Sequence, residues 1–117
     1  MEIWFDGSAD GSRAAWAALV FEDGSKPRLL YGTARDVKAG TADRWAARRV
    51  PHRLRDTIAA AAGVVVVVFD RRDDISLPVN RDPRPHWTWR SHRHPLIHRF
   101  GRLANRLRRG LPLPATA

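Results

Sequence analysis

Three aspartates stand at positions that a hydrophobic core would not choose. Asp6 lies in an alternating segment, Glu2 to Gly7, that puts Ile3 and Phe5 on one side and Trp4 and Asp6 on the other. Asp70 closes the run Val64 to Phe69, five valines and a phenylalanine, which reads as a strand buried on both faces. On a helical wheel Asp43 falls with Val50, Leu54 and Ala61 rather than with the neighbouring arginines. A carboxylate in apolar surroundings needs something positive beside it. Hard divalent ions such as Mg²⁺ or Mn²⁺ take carboxylate oxygens. A pair of them, about 4 Å apart, activates water and stabilises the leaving oxygen in phosphodiester cleavage. Each aspartate also has a plainer use: Asp6 to close an Asp-Gly turn, Asp43 to favour a helix dipole, Asp70 to begin a loop.

Charge points to a polyanionic partner. The 21 Lys and Arg against 12 Asp and Glu give a formal net charge of +9, and no acidic residue follows Asp82. Cations that neutralise phosphates release counterions, so such a balance favours nucleic acid. With no cysteine in the chain, disulfides and thiolate zinc sites are excluded. His92, His94 and His98 in a basic segment read as solvated side chains rather than a zinc set. The opening Met1-Glu2-Ile3-Trp4 lacks a basic leader, and the apolar run Ala59 to Phe69 is too short to span a bilayer. A cytoplasmic protein with no membrane partner is expected, its oligomeric state left open.

The elements that must position the aspartates follow from periodicity. Strands are predicted at Glu2 to Gly7, Ala14 to Phe21 and Arg28 to Thr33, joined by turns at Gly7 to Ser12 and at Asp23-Gly24. They form an antiparallel meander. A helix capped by Thr41 carries Ala46, Ala47, Val50, Leu54 and Ile58 on one side, and Pro51 kinks or divides it. The valine strand follows, then a loop from Arg71 to Pro85, a short strand from His86 to Arg90 and a helix from Pro95 to Arg109. That last helix has Ile97, Phe100, Leu103, Ala104 and Leu107 on its apolar side, with Arg99, Arg102, Arg106 and Arg109 opposite. Residues 1–110 are read as one domain and 111–117 as a flexible tail.

This order of elements, with its motifs, resembles the ribonuclease H-like family. Ile3-Trp4-Phe5-Asp6-Gly7-Ser8 followed by Ala14 to Val20 looks like that family's first hairpin, Ala42-Asp43-Arg44-Trp45-Ala46-Ala47 like its first helix start, and Val66 to Asp70 like its fourth strand. Trp87 to His92 resembles the fifth strand and the mobile histidine after it, and Leu103-Ala104 matches the end of a terminal-helix motif. The resemblance implies an α/β fold with a mixed five-stranded sheet, three antiparallel strands then two parallel, and helices packed on it. It implies two divalent ions, Mg²⁺ or Mn²⁺, with Asp6 bridging both and Asp43 and Asp70 each completing one shell, and His92 assisting proton transfer or product release. The helix carboxylate here is Asp43 instead of Glu, the family's last aspartate falls near Gly101, and the middle segment is short.

The implied activity is cleavage of the RNA strand of an RNA/DNA hybrid, or of a related structured nucleic acid. Backbone amides at Gly7 and Ser8, with Arg90, Arg99, Arg102, Arg106 and Arg109, are expected to hold phosphates. A catalytically inactive nucleic-acid-binding module and an adaptor docking a basic helix on an acidic protein remain open alternatives.

Overall fold

The computed structural model describes residues 1–69, 85–90 and 93–112. Three strands, β1 (Glu2–Ala9), β2 (Arg13–Phe21) and β3 (Arg28–Arg35), make the expected meander. Two helices follow, α1 (Ala42–Arg53) and α2 (Arg55–Ala60), then β4 (Val65–Phe69), β5 (Pro85–Trp89) and α3 (Pro95–Arg108). The sheet has five strands in the order β3-β2-β1-β4-β5. β4 lies parallel beside β1, with Trp4 level with Val68, and β5 lies parallel to β4. A strand, crossover helix and parallel strand in one sheet make this arrangement the expected one.

β3 runs on two residues past the expected Thr33, to Arg35, and two further boundaries differ in ways that bear on the site. β1 does not stop at Gly7 but continues to Ala9, pairing Asp6 with Ala17 and Ser8 with Ala15. Asp6 is therefore a strand residue and does not close a turn. The turn is made within the latter half of the expected stretch, by Asp10. Its Oδ1 accepts the Ser12 and Arg13 N–H groups at 2.9 and 2.8 Å, and Gly11 takes the left-handed φ of 95°. The predicted long helix is two pieces, but the break falls at Leu54 rather than at Pro51. Leu54 N–H still reaches the Val50 carbonyl at 3.0 Å, so Pro51 is absorbed in the last turn of α1. The Thr41 hydroxyl donates to the Lys38 carbonyl at 2.7 Å and caps no amide of the helix.

The sheet divides the core in two. On one face Ile3, Phe5, Trp16, Val65 and Val67 pack against Ala46, Ala47, Val50, Leu54 and Ile58 of α1 and α2. On the other, Trp4, Ala17 and Val68 pack against Ile97, Phe100, Leu103 and Ala104 of α3. Fully burying one such large side chain stabilises by about 1.5–3 kcal/mol. α1 comes so close to β1 that a Cβ on Gly7 would stand 2.9 Å from both the Ala42 carbonyl oxygen and Ala46 Cβ. In the same cross-strand row Trp16 lies between Gly7 and Gly32 and covers the latter, leaving no room for a side chain there.

α3 has defined ends. Pro95 opens it, and His94 caps it by accepting the Leu96 N–H at Nδ1, 3.3 Å away, while its ring packs on Trp4 with centroids 4.9 Å apart. At the far end Gly110, with φ 72°, donates to Leu107 and Leu111 donates to Arg106, the pair of bonds that closes a helix with a left-handed glycine. A clamp joins this end to the first hairpin. Arg108 Nη1 meets Asp10 Oδ2 at 2.6 Å, Arg108 Nε donates to Ser8 Oγ at 2.8 Å, and Nη2 donates to Asn105. Among the described residues no helix is long and apolar enough to cross a membrane.

Gly7→Ala is expected to lose about 1–3 kcal/mol of stability in denaturant unfolding, because backbone must move to admit the methyl group. Gly63→Ala, where a Cβ meets nothing within 4 Å, should change stability by less than about 1 kcal/mol. Asp10 gives a pH test. Its carboxyl is lowered from 3.8 to about 2, first by the Arg13 N–H, then by that of Ser12, with Arg108 adding to both. The folded value lies below the unfolded one, so its contribution is full above 3.8 and is lost as pH falls toward about 2. Asp10→Asn should flatten the acid limb of an unfolding curve in that window and leave its slope near neutral pH unchanged.

Candidate functional site

β1 is the central strand, and its side chains alternate between the two helical layers. Trp4, Asp6 and Ser8 belong to the α3 side. Each meets α3 in turn: Trp4 at His94, Asp6 at Gly101 and Ser8 at Asn105, where its hydroxyl donates to Oδ1 at 3.1 Å. Asp6 is half-buried, and its Oδ1 accepts the Gly7 N–H at 2.8 Å. Its Oδ2 faces Gly101 so closely that a Cβ there would stand 2.6 Å from it. The glycine in the middle of α3 is thus what leaves space for the Asp6 carboxylate.

Asp43 is the second residue of α1, in its first turn, and is half-buried. Asp6 and Asp43 are the immediate chain neighbours of Gly7 and Ala42, two residues that meet where α1 comes close to β1. Asp6 lies two residues past Trp4, the last β1 residue paired with β4, and three residues before the carboxyl end of β1. Asp70 follows the last residue of β4 in sequence, but Asp70 and His92 lie outside the described residues, as does 71–84 of the expected loop. Carboxylate oxygens at Asp6 and Asp43 are the donors that a hard divalent ion takes. Among the described residues no group of three metal-ligating side chains is gathered.

The expected phosphate-binding groups are placed unevenly. The Gly7 N–H is occupied by Asp6, and the Ser8 hydroxyl by Asn105 and Arg108. Arg90 is exposed just past β5, with its N–H on the Phe69 carbonyl at 2.9 Å. Arg99 and Arg102 are exposed on α3, and Arg109 is exposed at its C-cap. Arg106 is turned back on the chain, donating from Nε and Nη2 to the Pro112 carbonyl at 3.1 and 2.8 Å. It therefore closes the helix end and is not a member of one continuous cationic face. His94 and His98 gather no metal set, since His94 Nδ1 is the α3 cap. Asn105 and Arg108 were not singled out by the sequence reading. Their only signal was shared spacing with Gly101, at i+4 and i+7 on the side of α3 that meets β1.

A five-stranded mixed sheet in this order, with helices on both faces and a carboxylate on the central strand, has the ribonuclease H-like fold. Among solved structures the chain is similar to LC11-RNase H1, a ribonuclease H1 isolated from compost by a metagenomic approach. The TM-score is 0.69 at 14% sequence identity, over 93% of this chain and 95% of that one. No protein-family model matches the chain, and no curated protein matches it in sequence.

Gly101→Ala isolates the packing of Asp6. Alanine favours a helix over glycine by about 1 kcal/mol, while its methyl group must turn the Asp6 carboxylate away. The expected outcome is a thermal midpoint equal to or above that of the parent, with weakened Mn²⁺ binding measured by calorimetry. Unchanged Mn²⁺ binding would mean that the Gly101 contact does not set the orientation of Asp6.

Proposed function

We propose that this chain is a metal-dependent nuclease of the ribonuclease H type, acting on the RNA strand of an RNA/DNA hybrid or on a related structured nucleic acid. The observation that carries this reading is the half-buried Asp6 on the central strand, next to the point where α1 delivers Asp43. Asp6, Asp43 and Asp70 would hold Mg²⁺ or Mn²⁺, two ions in the full form of the site. The bound ions supply an activated water and stabilisation of the leaving oxygen. Asp6 is kept in one orientation by the Gly7 N–H and by Gly101. His92 assists proton transfer, and the exposed Arg90, Arg99, Arg102 and Arg109, with the strongly basic chain as a whole, hold the polyanion near the site. Such a protein works in the cytoplasm on nucleic acid.

One observation favours a second reading. Where α3 passes Asp6 it offers Gly101, and the chain from 83 onward has no acidic side chain. A module that keeps the fold and binds nucleic acid without cutting it would have this composition.

The test is incubation with labelled RNA/DNA hybrid, double-stranded RNA and DNA in Mg²⁺ or Mn²⁺, with a chelator control. Metal-dependent cleavage that falls about a hundredfold or more in Asp6→Asn, equal to roughly 2.7 kcal/mol of transition-state stabilisation, is the expected result. Binding without cleavage by the parent protein would select the second reading. An Asp6→Asn variant that cuts as fast as the parent would remove the nuclease reading.

A further inference from the structure

β2 and β3 end on an arrangement that a stable sheet does not call for. Arg13 and Arg35 are direct partners across the antiparallel pair. Like charges placed opposite one another destabilise a sheet. Among the described residues neither guanidinium has a carboxylate within ion-pair distance, and the third arginine nearby, Arg108, is paired with Asp10. Arg13 Nη1 lies against Gly110, 3.6 Å from where a Cβ would stand, at the α3 C-terminus, whose partial negative charge favours it. Among the described residues Arg35 has no such compensation.

Around this pair is a cavity of about 330 Å³ between β3 and the last turns of α3, lined by Arg13, Thr33, Arg35, Leu107 and Arg108 beside the backbone of Ala14 and Ala34. No acidic side chain lines it. Asp36, the next residue after Arg35, lines a different cavity with Lys38 and Arg44. On β3 the side chains of Tyr31, Thr33 and Arg35 share one face by strand alternation. Tyr31, 54% exposed, is an aromatic ring left in solvent on that face. The groove opens at the hairpin end of the sheet, four strand residues from Asp6, about 13 Å at roughly 3.3 Å per residue.

We propose that this groove is a binding site for a nucleic acid strand, with one backbone phosphate held between Arg13 and Arg35 and a base of the same strand stacked on Tyr31. It rests on the nucleic-acid partner proposed above and is indifferent to whether the chain cuts. A phosphate removes the repulsion between the two arginines, and Thr33 adds a hydroxyl donor. Stacking on an exposed ring accepts any base, so the groove reads backbone and not sequence.

The test uses the full chain in EDTA, so cleavage does not enter. Anisotropy of a labelled oligo(dT) is followed over a salt series for the parent, Arg13→Gln/Arg35→Gln, Tyr31→Leu and Arg53→Gln, an exposed position on α1 across the sheet. The double variant should bind about tenfold or more weakly, and its log K against log salt should be shallower by about 0.7, one single-strand phosphate. Tyr31→Leu should bind about tenfold more weakly with the slope unchanged. Arg53→Gln should match the parent. Without ligand, Arg35→Gln should raise the thermal midpoint, and oligo(dT) should then stabilise it less than it stabilises the parent. Parent-like affinity and slope in the double variant overturn the site. So does an equal loss in Arg53→Gln, which would leave only net charge, or equal binding of poly-glutamate by the parent. Absence of cleavage in the metal assay, with oligo(dT) binding intact, removes the nuclease reading and leaves the groove standing.

Discussion

Everything at the candidate site depends on one close approach: α1 lies directly on the backbone of β1 at Gly7. Helices usually stand off a sheet by the thickness of the side chains between them. Here a strand residue without a side chain meets Ala42 and Ala46, two residues that add almost none. The consequence is positional. Gly7 and Ala42, the chain neighbours of Asp6 and Asp43, are brought together by backbone, which is stiffer than any side chain, while Asp6 itself faces α3 on the other side of the sheet. Trp16, next in the row, fills the space that Gly32 of the neighbouring strand leaves open. Small residues and one large ring thus replace the even packing of the rest of the core.

α3 repeats this logic on the opposite face. Gly101 does for the Asp6 carboxylate what Gly7 does for α1, removing a Cβ where a polar group needs the volume. The aspartate is therefore bounded by helix backbone on one side and by its own strand N–H on another. A group enclosed like this loses little freedom when it takes up a ligand, because most of its freedom was lost on folding.

Much of the architecture was legible because hydrophobic period reports which face of an element is covered. The alternation in β1, the valine run of β4 and the apolar stripe of α3 each appear where the sequence places them. The expected turn contained the real one but began three residues early, at Gly7, because the sequence holds two turn signals, Asp6-Gly7 and Asp10-Gly11, and only the structure shows that the earlier glycine serves a helix instead. The helix break falls at Leu54 rather than Pro51 because the bond from the Leu54 N–H to the Val50 carbonyl carries the last turn past the proline. What sequence could not reveal was which arginines already have partners. Arg108 finds Ser8 and Asp10 across 100 and 98 positions, and no local pattern separates it from Arg109, which remains exposed. Of the three aspartates, the strand role of Asp6 was legible and its confinement by Gly101 was not.

The clamp between Asp10 and Arg108 also bears on the order in which the molecule assembles. The meander of β1, β2 and β3 needs only neighbouring residues and can form early, but the ring of contacts that Arg108 closes spans nearly the whole described chain. Until α3 returns to the sheet, Trp4, Ala17 and Val68 present a bare apolar surface with nothing over it. During synthesis that surface stays uncovered for as long as the last helix is still being made, the interval in which exposed apolar surface favours aggregation. The final turn of α3 thus acts as a latch on a finished fold, and a chain shortened by that turn would keep its meander while losing the contact that holds its cover in place.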